Sequence, residues 1–162
     1  MSRQSTKLWA KFLAWLTNGE ISEEESEKKL NEMMKVKRTE RGWAGHFCCS
    51  YDCLYHRNTL LEYGDKKVVV STIGRWLIKD CDGKRKFDTV GSDRYFETMA
   101  FIGRELEPRY IDADVTQKVC FDSNWSLPQP DMENEADEMH EAVIAEITKD
   151  LINDTLRIES YD

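Results

Sequence analysis

The eleven residues from His46 to His56, reading His-Phe-Cys-Cys-Ser-Tyr-Asp-Cys-Leu-Tyr-His, hold three of the five cysteines and two of the three histidines in this 162-residue chain. Thiolates and imidazoles ligate zinc, attack electrophiles and titrate near neutral pH. A structural zinc site draws four such donors, usually two from each of two short spacings. Cys49 and Cys53, four residues apart, supply up to three donors together with His46 or His56. A fourth would come from Cys81 or Cys120, and no second Cys-x-x-Cys or His-x₃-His completes the set. A nucleophilic role for Cys53 would draw on His56 and Arg57 to lower its pKa. Against both stands the habit of free thiols to pack as small hydrophobes. The expectation is therefore that His46, Cys49 and Cys53 fix the first corner of a sheet without a cofactor, with zinc ligation the alternative.

A second chemical candidate is carboxylate. Asp112 and Asp114 share one face of a strand, and with Glu97 and Asp122 they offer oxygen ligands of the kind Mg²⁺ takes in nucleases. Met99, not lysine, stands two residues after Glu97, so the spacing of restriction-type nucleases is incomplete. A solvated strand face explains the same acids. Arg57, Ser71-Thr72 and Glu97 follow the order used by arginine–serine–glutamate ADP-ribosyltransferases, at separations too short for that nucleotide cleft. Trp43, Tyr51, Tyr55, Tyr63, Trp76, Tyr95, Phe96, Tyr110 and Trp125 alternate with arginines, a pattern that suits base stacking or a protein hot spot once the core has taken its share.

These residues need a frame. Leu8, Trp9, Phe12, Leu13 and Leu16 fall at helical spacing, and Asn18-Gly19 closes that helix. Ser22 with Glu25 forms a capping box that opens a second helix over about 23–36, giving a helical hairpin in residues 1–40. Residues 12–33 resemble the short helical hairpin of SHOCT segments. Lys35 to Arg41 is a basic connector. From residue 41 to 126 the pattern is extended. Lys66–Ile73 is rich in β-branched residues, Gly64-Asp65 and Asp82-Gly83 mark turns, and 94–101 and 113–121 read as further strands. The fold class is α+β: an antiparallel sheet of four to six strands, with the N-terminal hairpin and a long acidic C-terminal helix. Ser126-Leu127-Pro128-Gln129-Pro130 reads as a linker to that helix, which belongs to a third segment, 127–162. Met132, Ala136, Met139, Val143, Ile147 and Leu151 make one apolar stripe, widened by Ile144 and Ile152. It packs either on the sheet or on a second copy in a homodimer, and cover for the sheet is the first reading.

Charge is concentrated. From Asp131 to the C-terminus eleven acids face two bases, a balance of −9, so the preceding 130 residues carry +1 of the total of −8. An acidic helix disfavours direct nucleic-acid binding and suits a basic groove that normally holds nucleic acid; its bland role is solubility. No apolar run reaches the ~20 residues a bilayer span needs. The N-terminal apolar stretch, interrupted by Lys11, lacks a signal-peptide cleavage site, so no membrane association and a cytoplasmic location are expected. The odd cysteine count fits reduced thiols.

Residues 42–125 resemble a group of small proteins of phages and other mobile elements. The likeness rests on Gly42-Trp43-Ala44-Gly45-His46-Phe47, Cys49, Cys53, residues 57–61 and 69–74, residues 94–101, Asp112-Ala113-Asp114-Val115 and Phe121-Asp122-Ser123. The resemblance carries over no catalytic residue. It implies a small accessory protein in a bacterial host cell, where counter-defence is a common task. The expected function is a non-catalytic inhibitor, of anti-CRISPR or anti-restriction type, that neutralises a host protein or protein–nucleic acid complex through Glu135, Asp137, Glu138 and Glu141. The alternatives are a metal-dependent enzyme acting on nucleotides or nucleic acid, and a zinc-stabilised binding module.

Overall fold

The computed structural model describes residues 22–41, 46–47, 50–108 and 110–161. The chain divides into two compact units, Met1–Lys37 and Arg38–Asp162. In the first, helix α1 spans Glu23–Met33, with Ser22 as N-cap accepting from the Glu25 backbone N–H at 3.1 Å. That is the cap expected from the Ser22/Glu25 pair, and it satisfies one of the donors a helix start leaves free. The preceding helix expected from Leu8 to Leu16 lies outside the described residues.

The second unit is built on an antiparallel sheet. Its strands are β1 (Lys37–Glu40), β2 (Cys53–Tyr63), β3 (Lys66–Lys79), β4 (Arg85–Asp88), β5 (Phe96–Glu107), β6 (Tyr110–Cys120), β7 (Ser126–Leu127) and β8 (Arg157–Ser160). The order is β1-β2-β3-β5-β6-β8, with β4 paired to the end of β3 and β7 to the start of β5. Eight strands among the described residues exceed the four to six expected. Strands β3, β5 and β6 fall on the expected segments, whereas β2 falls on none of them; β1, β4, β7 and β8 have two to four residues each, and a stretch that short carries no readable alternation. The basic connector is thus partly strand β1, and the supposed linker opens with β7.

Helix α2 spans Glu133–Asn153 and packs on one sheet face, touching β2, β3, β5 and β7. Its buried side is Ala136, Met139, His140, Val143, Ile144, Ile147, Thr148 and Leu151, so the apolar stripe covers the sheet. The C-terminal segment is therefore part of the β unit. Opposite the helix lie Tyr55, Arg57, Thr59 and Leu61 of β2, Val68, Val70 and Thr72 of β3, and Phe96, Thr98 and Ala100 of β5, in register across the three strands. Phe96, fully buried, joins Leu127, Ala136 and Met139 at the start of the helix. Its ring lies over Gly74, the residue paired with it, where any Cβ would overlap the ring.

Arg75 adopts φ +54° and interrupts the alternation of β3. It ion-pairs with Glu133 at the start of α2, while Trp76 joins Cys53, Ile73, Phe47 and Val90 in a separate cluster. A three-residue bulge in β6, between Asp114 and Lys118, re-aims that strand. Asp114 accepts from the backbone N–H and the hydroxyl of Thr116, stabilising the bulge.

Candidate functional site

The acids of α2 divide into two sets. Those nearest the sheet are paired within the unit. Glu141 receives two bonds from Arg38 at 2.7 Å each and one from Arg57 at 2.7 Å. Asp137 accepts from the Tyr55 hydroxyl at 2.7 Å and from Arg57 at 3.2 Å. Glu133 holds Arg75. Glu146 accepts from the backbone N–H groups of Asp122 and Ser123 and from the Ser123 hydroxyl. Hydrogen bonds from Arg38, with those from Arg57, outweigh burial and hold the Glu141 carboxyl down at about 2. Burial opposes the charge on Glu40, yet the Thr59 hydroxyl and Arg38 and Arg57 leave its pKa below the ordinary value. Of the four acids singled out in the sequence, Asp137 and Glu141 thus dock the helix. Glu135 and Glu138 are exposed and make no ion pair among the described residues; Asp131, just before the helix, is exposed as well.

Beneath this lattice sits His140, fully buried. Its Nε2 is 2.8 Å from Thr59 Oγ1 and its Nδ1 is 2.6 Å from Thr72 Oγ1, which lies 2.7 Å from Thr98 Oγ1. Thr59 spends its single proton on Glu40, at 2.8 Å. The ring must therefore donate from Nε2 and accept at Nδ1 from Thr72, and Thr72 must accept from Thr98. Burial, helped by the Arg57 charge, lowers the His140 pKa to about 4 and keeps the ring neutral. Sequence reading passed over this histidine. The available signal was its place on the apolar stripe, four residues from both Ala136 and Ile144.

The cysteine/histidine run is spread out. Cys53 begins β2 and is buried against Ile73, Phe47, Trp76 and Val90. His46 stacks near Phe101, with ring centroids 6.0 Å apart, and burial lowers its pKa to about 4. His56 is exposed on β2. Cys49 lies outside the described residues, as does Trp43. Among the described residues no three of His, Cys, Asp and Glu gather in a metal-binding group.

The carboxylates proposed for metal chemistry each have a local partner. Glu97 pairs with Arg94 at 2.8 Å, Asp112 accepts from the Ala113 N–H at 2.7 Å, Asp114 holds its bulge, and Asp122 pairs with Arg157 at 2.8 Å. Arg57 points to the helix, whereas Glu97 alternates with Phe96 and Thr98 onto the other face, so the arginine–serine–glutamate order assembles no common site. Three of the arginines among the aromatics are similarly occupied: Arg41 by Asn58 and the Ile111 carbonyl, Arg75 over the Phe87 ring, and Arg94 over Trp125.

A cavity of about 410 Å³ opens on the sheet face away from α2. It lies between β5 and β6, with Glu97 and Met99 from one strand and Lys118 and Cys120 from the other, and Trp125 at its wall. Burial and the neighbouring Glu159 carboxylate raise the Cys120 thiol, which is therefore protonated and a poor nucleophile.

No helix among the described residues is long and apolar enough to cross a membrane. Comparison with protein-family models, with curated proteins and with solved structures finds no match.

Proposed function

We propose that this chain is a non-catalytic binding protein that occupies a basic groove on a partner through the outward face of α2. The observation that carries this reading is the split between inner and outer acids. Glu133, Asp137, Glu141 and Glu146 fasten the helix to the sheet unit, while Asp131, Glu135 and Glu138 are exposed and make no ion pair among the described residues. A helix held rigidly by its own acids presents the remaining charge in a fixed geometry, so binding forfeits little ordering entropy. Complementary charge then supplies steering and register. The chemistry that recognises such a face is a lysine- and arginine-lined channel of the sort that grips nucleic acid.

The resemblance of residues 42–125 to small phage and mobile-element proteins supplies the setting. In it the partner is a host nucleic-acid-processing defence complex, and the encounter takes place in the bacterial cytoplasm. Affinity capture from a bacterial lysate tests the surface directly. The wild-type protein should enrich a nucleic-acid-binding complex, and Glu135→Lys with Glu138→Lys should lose it at the same salt concentration. Equal capture by both forms would place the interface elsewhere.

A further inference from the structure

The cavity away from α2 has the parts of a ligand site that the acidic helix does not use. One wall is a cation–π pair: the Arg94 guanidinium carbon lies over one face of the Trp125 ring, 4.7 Å from its centroid. That wall is fixed from behind, because the Thr98 backbone N–H donates to the Trp125 carbonyl at 2.8 Å and β7 pairs with β5. Trp125 nevertheless keeps 44% of its surface exposed. The floor is Met99, Cys120 and Phe121, all soft or apolar groups.

Polar groups converge on this wall. Glu97, which lines the cavity, receives both Arg94 bonds on one oxygen, Oε2, at 3.0 and 2.8 Å, so the carboxylate keeps accepting capacity beyond that pair. Arg94 supplies donors beside it. Lys118 stands 4.0 Å from Glu159, so the two cations and two anions of the site balance. A cation–π wall, an apolar floor, one acceptor next to one donor and no net charge define a narrow class of ligand.

We propose that this cavity binds a neutral, planar nitrogen heterocycle of nucleobase type, lying against Trp125 and Arg94 with its N–H edge on Glu97. Aromatic and guanidinium planes are the surfaces on which bases stack, and a carboxylate accepts from ring or exocyclic N–H groups. The same chemistry is available from a free nucleoside or from a base of a single strand. Site neutrality and the chain's total charge of −8 favour the uncharged nucleoside.

Calorimetric titration of the full chain with guanosine, adenosine, uridine and cytidine, and in parallel with guanosine triphosphate and a short single-stranded RNA, tests the assignment. Saturable binding of at least one nucleoside is expected, tighter than for the triphosphate or the strand. Trp125→Ala should weaken it about tenfold, the weight of one aromatic stack. Trp125→Phe should retain most of it, and Glu97→Gln should change the order of preference among bases. Thermal melting of each variant controls for folding. Absence of binding by any nucleoside at millimolar concentration would overturn the proposal, as would affinities unchanged in a folded Trp125→Ala protein. Tighter binding of the strand would reassign the source of the base to nucleic acid and overturn the preference for the free nucleoside.

Discussion

Nε2 of His140 lies 2.8 Å from Oγ1 of Thr59, and because Thr59 gives its proton to Glu40, the imidazole is the donor in that pair. This one direction orders the hydroxyl protons of Thr72 and Thr98 as well, and ties the centre of α2 to the edge strand β1. Nuclear magnetic resonance of the imidazole nitrogens should find His140 as the neutral Nε2–H tautomer at pH 7. Its titration midpoint should lie near 4. A Nδ1–H tautomer would reverse the chain of donors described here.

The same burial makes stability pH-dependent. Both His140 and His46 have folded pKa values of about 4 against an ordinary 6.5, so the unfolded chain takes up their protons first. Stability should be complete above pH 6.5 and fall as the pH drops toward 4, with His140 alone contributing on the order of 3 kcal/mol. Glu141 acts lower: its depressed carboxyl stabilises the fold above about 4.5, and that contribution is lost toward about 2. Urea unfolding at a series of pH values checks both windows, and His140→Gln should remove about half of the upper one, the rest belonging to His46.

Arg57 bridges Asp137 and Glu141 from β2. Arg57→Ala should destabilise the protein by roughly 1–2 kcal/mol, more than a lone exposed ion pair is worth, because it removes one cation shared by Glu40, Asp137 and Glu141. Glu135→Lys and Glu138→Lys should shift the melting temperature little. The contrast separates acids that dock the helix from acids left for a partner.

Gly74→Ala places a methyl group where the Phe96 ring lies. Overpacking at that point should cost about 1–3 kcal/mol. A paired Phe96→Leu change should recover part of the loss, measured by chemical unfolding.

The long strands β3, β5 and β6 and the stripe of α2 were legible because each spans enough residues to display its pattern, and the two tight turns from their Gly-Asp and Asp-Gly pairs; β2, whose first residues belong to the Cys/His run, was not legible as a strand. The cap at Ser22 was legible from a four-residue pattern. Strand β8 was not: all four of its residues are exposed, and its place is set by β6, more than thirty residues earlier. Nor did the sequence reveal that Asp137 and Glu141 face inward to arginines on β1 and β2, since an acid on a helix reads as solvated until its partner is placed. The cavity escaped for the same reason. In the sequence Glu97 reads as a metal ligand, Trp125 as one of many stacking aromatics and Cys120 as a spare thiol, and they join only through the pairing of β5 with β6 and β7.

The outward acidic face of α2 is tested most directly by phage plaquing on bacteria carrying single restriction or CRISPR systems. Expression of the wild-type chain should restore plaquing against at least one system, and the folded Glu135→Lys, Glu138→Lys protein should not. Restoration by both forms, or by neither across the panel, would contradict the account.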